Sequence, residues 1–222
     1  MVWNGSTFNP MHASAWSNQL LLEYQRLHPI KEARQPRRRE KTKWVFPPRG
    51  RLKLNIDGSF QRDGDRGGIG VVVRDSSGKV HATWSRLLPN AGSAFQCEVE
   101  ACRAALLLAI HQGWREIEVE SDSSVLVNAM NYQGEDNSEV SRIIDDCKDY
   151  VHAFDAIVIR HIFREANSVA DRLAHFASLG QVTDLYLGEA PDYLQDVLYE
   201  DFCKASTCKC SGYRRMQLCV YY

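Results

Sequence analysis

The chain has 222 residues, room for one ordinary domain with tails, and its 44% hydrophobic and 25% charged residues fit a globular protein. No uninterrupted apolar run reaches the roughly 18 residues that span a bilayer, so no membrane partner is expected. The formal net charge of −1 conceals a basic head: residues 1–51 carry ten Lys or Arg against three Asp or Glu, and the remainder carries seventeen against twenty-five.

The head, residues 1–51, reads as flexible, with one short helix expected between Trp16 and Leu27. A basic run then passes from Lys31 through Arg34, Arg37, Arg38 and Arg39 to Lys41 and Lys43, with Pro36 opposing a continuous helix. Such a run suits a solvated linker, a nuclear-targeting signal or a phosphate-binding arm. The polar start, Met1 to Gln19, lacks a signal-peptide pattern, so a nuclear or cytoplasmic location is expected rather than secretion. Trp44 to Gly50, with Pro47-Pro48, reads as an extended lead-in.

A folded domain is expected over residues 52–180. Leu52, Leu54 and Ile56 alternate with Lys53, Asn55 and Asp57, the period of a half-buried strand, and Gly58-Ser59 lets the chain turn beyond the acid. Further strands are expected at residues 67–73, 80–87, 116–121 and 156–160. Helices are expected at residues 94–112, 123–130, 138–152 and 166–179, the first stopped by Gly113 and the last by Gly180. Asp122 or Ser123 is the expected cap of the second. Three strands in succession followed by alternating helices and strands predict an α/β fold, a five-stranded mixed sheet flanked by helices. Residues 181–222 form a C-terminal extension with one short helix expected between Tyr193 and Phe202. Of the seven cysteines, Cys97 and Cys102 read as helix core residues. Cys203, Cys208, Cys210 and Cys219 read as free thiols, since Cys208-x-Cys210 lacks zinc-finger spacing.

Four acids fall where they can converge. Asp57 and Asp122 end two strands on the parity opposite the apolar residues. If those strands are parallel neighbours, both carboxylates project at the edge where open α/β sheets bind ligands. Glu98 borders the small-residue face formed by Ala101, Cys102, Ala105 and Ala109, whereas Glu100 reads as a surface partner of Arg103. Asp171 lies in the first turns of the last helix, where an acid is also favoured by the helix dipole, and Asp122 also suits a plain N-cap. Acids gathered at one point repel unless cations neutralise them, and hard oxygen ligands suit Mg²⁺ or Mn²⁺. Two such ions form the clamp used in phosphodiester hydrolysis.

Five pieces, in order and at suitable spacing, carry a resemblance over roughly Trp44 to Leu179. They are Lys53-Leu54-Asn55-Ile56-Asp57-Gly58-Ser59, Gly67-Gly68-Ile69-Gly70, Cys97-Glu98 through Ala105-Leu106, Glu120-Ser121-Asp122-Ser123, and His161-Ile162-Phe163-Arg164-Glu165-Ala166-Asn167 running on to Asp171. The chain resembles the ribonuclease H-like domain of plant retroelements, the reverse-transcriptase-associated type. The resemblance implies a ribonuclease H-like fold and cleavage of the RNA strand of RNA–DNA hybrids. It implies two Mg²⁺ or Mn²⁺ ions held by Asp57, Glu98, Asp122 and Asp171. It further implies that His161 assists proton transfer or product release and that the Asn167 amide orients the Asp171 turn. A reverse transcriptase module is an implied partner. Phe163 stands where the plant pattern commonly has Pro. The stretch holding Glu135, Asp136, Glu139, Asp145, Asp146 and Asp149 is acidic where bacterial relatives grip the hybrid with a basic segment, so either hybrid binding is weak or the basic head supplies that contact. The alternative reading is a retroelement-derived nucleic-acid-binding module with little turnover.

Overall fold

β1 (Leu52–Gln61) forms where the alternation begins and continues four residues past Asp57. Its apolar parity, Leu54 and Ile56, is fully buried in the larger core cluster. Its polar parity is buried as well: Lys53, Asn55 and Asp57 are all nearly inaccessible. The half-buried strand expected from the alternation is therefore buried on both faces, because the polar side chains find partners described below. The computed structural model describes residues 43–62, 66–132, 140–180 and 184–206, all within the unit Lys41–Tyr222. The expected head helix, the basic run up to Lys41 and three tail cysteines, Cys208, Cys210 and Cys219, lie outside the described residues.

β2 (Arg66–Arg74) and β3 (Val80–Pro89) continue as an antiparallel meander. Helix α1 (Ala94–His111) is capped by Ser93, whose side chain accepts from the Gln96 amide. It crosses over to β4 (Glu116–Ser121), which lies parallel to β1 with Asn55 opposite Glu120 and Ile56 opposite Ser121. Helices α2 (Ser124–Asn131) and α3 (Ser141–Val151) lead to β5 (Ala156–His161), parallel to β4. Helix α4 (Ser168–Ser178) follows a short 3-10 turn at Arg164–Ala166. The sheet then gains a sixth strand, β6 (Asp184–Leu187), antiparallel to β3, and the chain runs on into α5 (Gln195–Ala205). The strand order is β5-β4-β1-β2-β3-β6, six strands rather than the five expected. β6 has four residues, and Leu185 and Leu187 remain about half exposed, so it carries little apolar periodicity to read.

Helices α1, α2 and α3 cover one sheet face around Ile56, Ile69, Val71, Ile117 and Leu106. α4 and α5 cover the other, around Val72, Leu173 and Val197. α4 lies directly on β2 because Gly68 and Gly70 carry no side chain: a Cβ on either would overlap the backbone of Ala170, Ala174 or Ser178. Among the described residues no helix is long and apolar enough to cross a membrane.

The face under α4 and α5 carries a ladder of buried polar pairs. Lys53 faces Glu118 and Asn55 faces Glu120 across the β1–β4 register. Lys53 Nζ lies 2.7 Å from Glu120 and 3.7 Å from Glu118, and it donates to the Val45 carbonyl at 2.7 Å. Asn55 donates to Glu120 at 3.1 Å, while its own carbonyl oxygen accepts from Trp44 and Arg74, each at 2.9 Å. Arg74 stacks 3.8 Å from the centre of the Trp44 ring and pairs with Asp201 of α5 at 2.8 Å. The lead-in and the C-terminal helix thus close over the same polar layer.

Candidate metal centre

The ladder's third rung is made of two acids. Asp57 follows Asn55 on β1, Asp122 follows Glu120 beyond the end of β4, and the two carboxyl groups face each other with oxygens within 4.8 Å. The lower rungs are neutralised by Lys53, Arg51 and Arg160. Glu98 joins the top rung from α1. A Cβ at residue 58 would overlap the Cys97 carbonyl carbon and the Glu98 nitrogen, so glycine there lets the start of α1 meet β1 beside Asp57. Ligand oxygens of Asp57, Glu98 and Asp122 all lie within 4.8 Å of one another.

Burial, and then the charges of Glu98, Asp122 and Asp171, push the Asp57 carboxyl up to about 9. Burial and Asp122 push Glu98 up to about 8 against the opposing pull of the Gly58 amide and Arg164. Glu98 Oε2 is buried without a hydrogen-bond partner, the state of an acceptor shaped for a donor or cation from outside the protein. Oxygen donors, excess negative charge and an orphaned carboxylate oxygen together fit a hard divalent cation.

The three acids open into a cavity of about 460 Å³, also lined by Gly58, Ser59 and Phe60 of β1, by Asp171 and His175 of α4, and by Arg164. Asp171 stands in the first turn of α4, and its Oδ1 accepts from Arg164 Nη2 at 2.6 Å. Asp122 is not a cap, since the Ser123 side chain accepts from Leu126 instead. The Asn167 amide donates to the Ile56 carbonyl at 2.9 Å and to Asp122 Oδ1 at 3.0 Å. It therefore holds Asp122 and also ties the turn that leads to Asp171 to the end of β1, Asn167 being the residue before α4 whose carbonyl accepts from the Asp171 amide at 3.0 Å. Glu100 does pair with Arg103, at 2.8 Å, but it is buried rather than on the surface, with Arg86 as a second partner at 3.4 Å.

His161, at the exposed end of β5, has Nε2 3.2 Å from the Asp122 carbonyl and packs edge-on to Phe163. Sequence reasoning gave no role to three cavity residues, Phe60, Arg164 and His175. His175 follows Asp171 by four residues on one helix, a spacing that places both on one face. Arg164 lies before α4 in a 3-10 turn with no periodicity to mark it.

A model of the reverse-transcriptase-like family matches residues 55–177, more than half of the chain. The chain belongs to that family. A curated Arabidopsis thaliana protein named "Putative ribonuclease H protein" is 31% identical over 171 residues, covering 75% of this chain and 27% of the relative. The chain thus spans about a quarter of that relative's length. Ribonuclease H1 of Halobacterium salinarum superposes with a TM-score of 0.55 at 25% identity, over 60% of this chain and 99% of that one. LC11 ribonuclease H1, solved in complex with an RNA/DNA hybrid, superposes with a TM-score of 0.53 at 24% identity, over 58% and 97%. The ribonuclease H-like fold expected from the sequence is the fold observed.

Proposed function

We propose that this chain is a metal-dependent endonuclease that cleaves the RNA strand of RNA–DNA hybrids, with Asp57, Glu98, Asp122 and Asp171 as ligands of two Mg²⁺ or Mn²⁺ ions. The observation that carries this reading is the meeting of oxygens from Asp57, Glu98 and Asp122 within 4.8 Å, at the one rung of a buried ladder that its strand neighbours leave uncompensated. Asp171 lines the same cavity and completes the proposed set. Hybrid as substrate class is supported by the family, by the names of the Arabidopsis and Halobacterium relatives and by the hybrid in the LC11 complex. Such duplexes are read through groove shape and 2′-hydroxyls more than base identity.

A pair of divalent ions, when bound, supplies positive charge at both the attacking and the leaving oxygen of a phosphodiester. The residues of this chain do the positioning. Gly58 lets Glu98 approach Asp57, Asn167 fixes Asp122, and Arg164 fixes Asp171 while offering a guanidinium to a phosphate in the cavity. His161, exposed beside Asp122, is assigned the proton transfer between the site and bulk water. In the net reaction a water oxygen bonds to phosphorus, the phosphorus–oxygen bond to the departing strand breaks, and the departing oxygen takes up a proton. The reading extends to a reverse transcriptase module as partner, in keeping with the family description.

The test is cleavage of hybrid, double-stranded RNA and double-stranded DNA by the purified chain with Mg²⁺ or with chelator. Cleavage of hybrid alone, abolished by chelator and by Asp57→Asn, is expected. Tight hybrid binding without Mg²⁺-dependent cleavage would instead identify a binding module. Adding a reverse transcriptase module should raise turnover, and an unchanged rate removes it as a partner.

A further inference from the structure

The cavity holds two cationic or ionisable nitrogen side chains, Arg164 and His175. Arg164 is engaged by Asp171. His175 is exposed, and among the described residues its ring nitrogens meet no hydrogen-bond partner; the ring lies tilted beside Phe176, and the main-chain carbonyl accepts from Ser178 Oγ at 2.8 Å and from the Leu179 amide at 3.2 Å. Side chains on a helix lean toward its N-terminus, so the His175 ring stands one turn above Asp171 at the cavity mouth. The opposite wall is β1 at Ser59 and Phe60. That wall is tied to α4 by Ser59 Oγ and Ser178 Oγ, 3.1 Å apart. A polyanion entering a cavity lined by four acids needs a donor at its rim that those acids do not already hold. His161 does not fill that role, since its ring lies against the Asp122 carbonyl and does not line the cavity.

We infer that His175 is a substrate-contacting residue, donating from its ring to a backbone phosphate of the strand that crosses the cavity mouth between α4 and β1. This deepens the nuclease reading above and rests on it. The contact acts on binding, so it is separable from the acids that act on the chemistry.

Steady-state cleavage of an RNA–DNA hybrid in Mg²⁺ tests it with His175→Ala, His175→Gln and, as a control distant from the cavity, His111→Ala at the end of α1. Loss of one hydrogen bond to a charged group predicts a KM about tenfold higher for His175→Ala with little change in kcat. His175→Gln keeps an N–H donor and is expected to recover most of the loss, and His111→Ala to match wild type. A fall in kcat at unchanged KM, or no change in either constant, overturns the inference and leaves the nuclease reading standing. Fluorescence anisotropy with the same hybrid in Ca²⁺ measures the contact without turnover. If wild type binds but does not cleave, weaker binding by His175→Ala upholds the contact while the nuclease reading falls. If wild type neither binds nor cleaves, both fall.

Discussion

Arg164 reaches from the turn before α4 to Asp171, with Nη2 2.6 Å from Oδ1, although its side chain is otherwise about three-quarters exposed. An exposed ion pair by itself contributes little to stability. Its place in the cavity gives it another use: it fixes the Asp171 carboxylate at the cavity wall and itself lines the cavity beside it. The Asp171 and Asp57 charges raise the basicity of Arg164 further.

Replacing Arg164 by Ala is therefore expected to leave the unfolding midpoint nearly unchanged and to lower kcat/KM on hybrid by about ten- to a hundredfold. Lys in its place should recover only part, because an ammonium lacks the planar fork that engages carboxylate and phosphate together. Parallel denaturation and kinetics check this, and wild-type turnover by Arg164→Ala would remove the residue from the site.

Asn167 is buried and bridges β1 to Asp122. Asn167→Ala leaves the Ile56 carbonyl without that donor and is expected to cost about 1–3 kcal/mol of stability. It should also weaken Mn²⁺ binding, by freeing Asp122 to rotate. Urea denaturation and Mn²⁺ titration read the two effects separately. Asn167→Asp, which replaces the amide donor with a carboxyl group, should be worse for stability than Ala at pH 8.

The acids predict how stability depends on pH. Asp57 and Glu98 are raised from about 3.8 and 4.5 to about 9 and 8. Between those values the folded state binds more protons than the unfolded chain, so unfolding free energy falls as pH rises from about 4 to about 9. Thermal melts in chelator should show this loss. Asp57→Asn should flatten it, and Mg²⁺ should protect more at pH 8 than at pH 5. Melting that is more stable at pH 8 than at pH 5 in chelator contradicts the electrostatic account of the cluster.

The basic head calls for a cut placed by the structure. Trp44 is buried against Arg74 and Asn55, so a deletion through residue 51 would unroof the polar layer and confound binding with folding. Deleting residues 1–40 removes most of the head's basic residues and spares Trp44. Hybrid affinity should drop and its dependence on salt should flatten. An unchanged salt slope would show that the head does not touch the duplex.

Much of the site was legible because its parts are local. The alternation from Leu52 to Asp57 set the face of the first acid, and the parallel pairing of β1 with β4 did the same for Asp122. The small residues after Glu98 marked the face of α1 that meets the sheet. What was not legible depends on partners distant in sequence. The burial of Lys53 and Asn55 needs Glu118 and Glu120, more than sixty residues on, and Arg74 needs Asp201, 127 residues on. The bridge from Asn167 to Asp122 depends on how the turn before α4 crosses two strand ends, which no periodicity encodes. Replacing only one of Arg74 and Asp201 leaves a buried charge unpaired, whereas an apolar pair of similar volume has no such cost.

Calorimetric titration of the full chain with Mn²⁺, wild type against Asp57→Asn, asks whether the converging acids seat divalent ions. Saturable binding by wild type is expected, with a loss of about tenfold or more in affinity for the variant, whose fold by circular dichroism stays intact. Equal Mn²⁺ binding by the two proteins, or none by wild type at millimolar metal, would contradict that expectation.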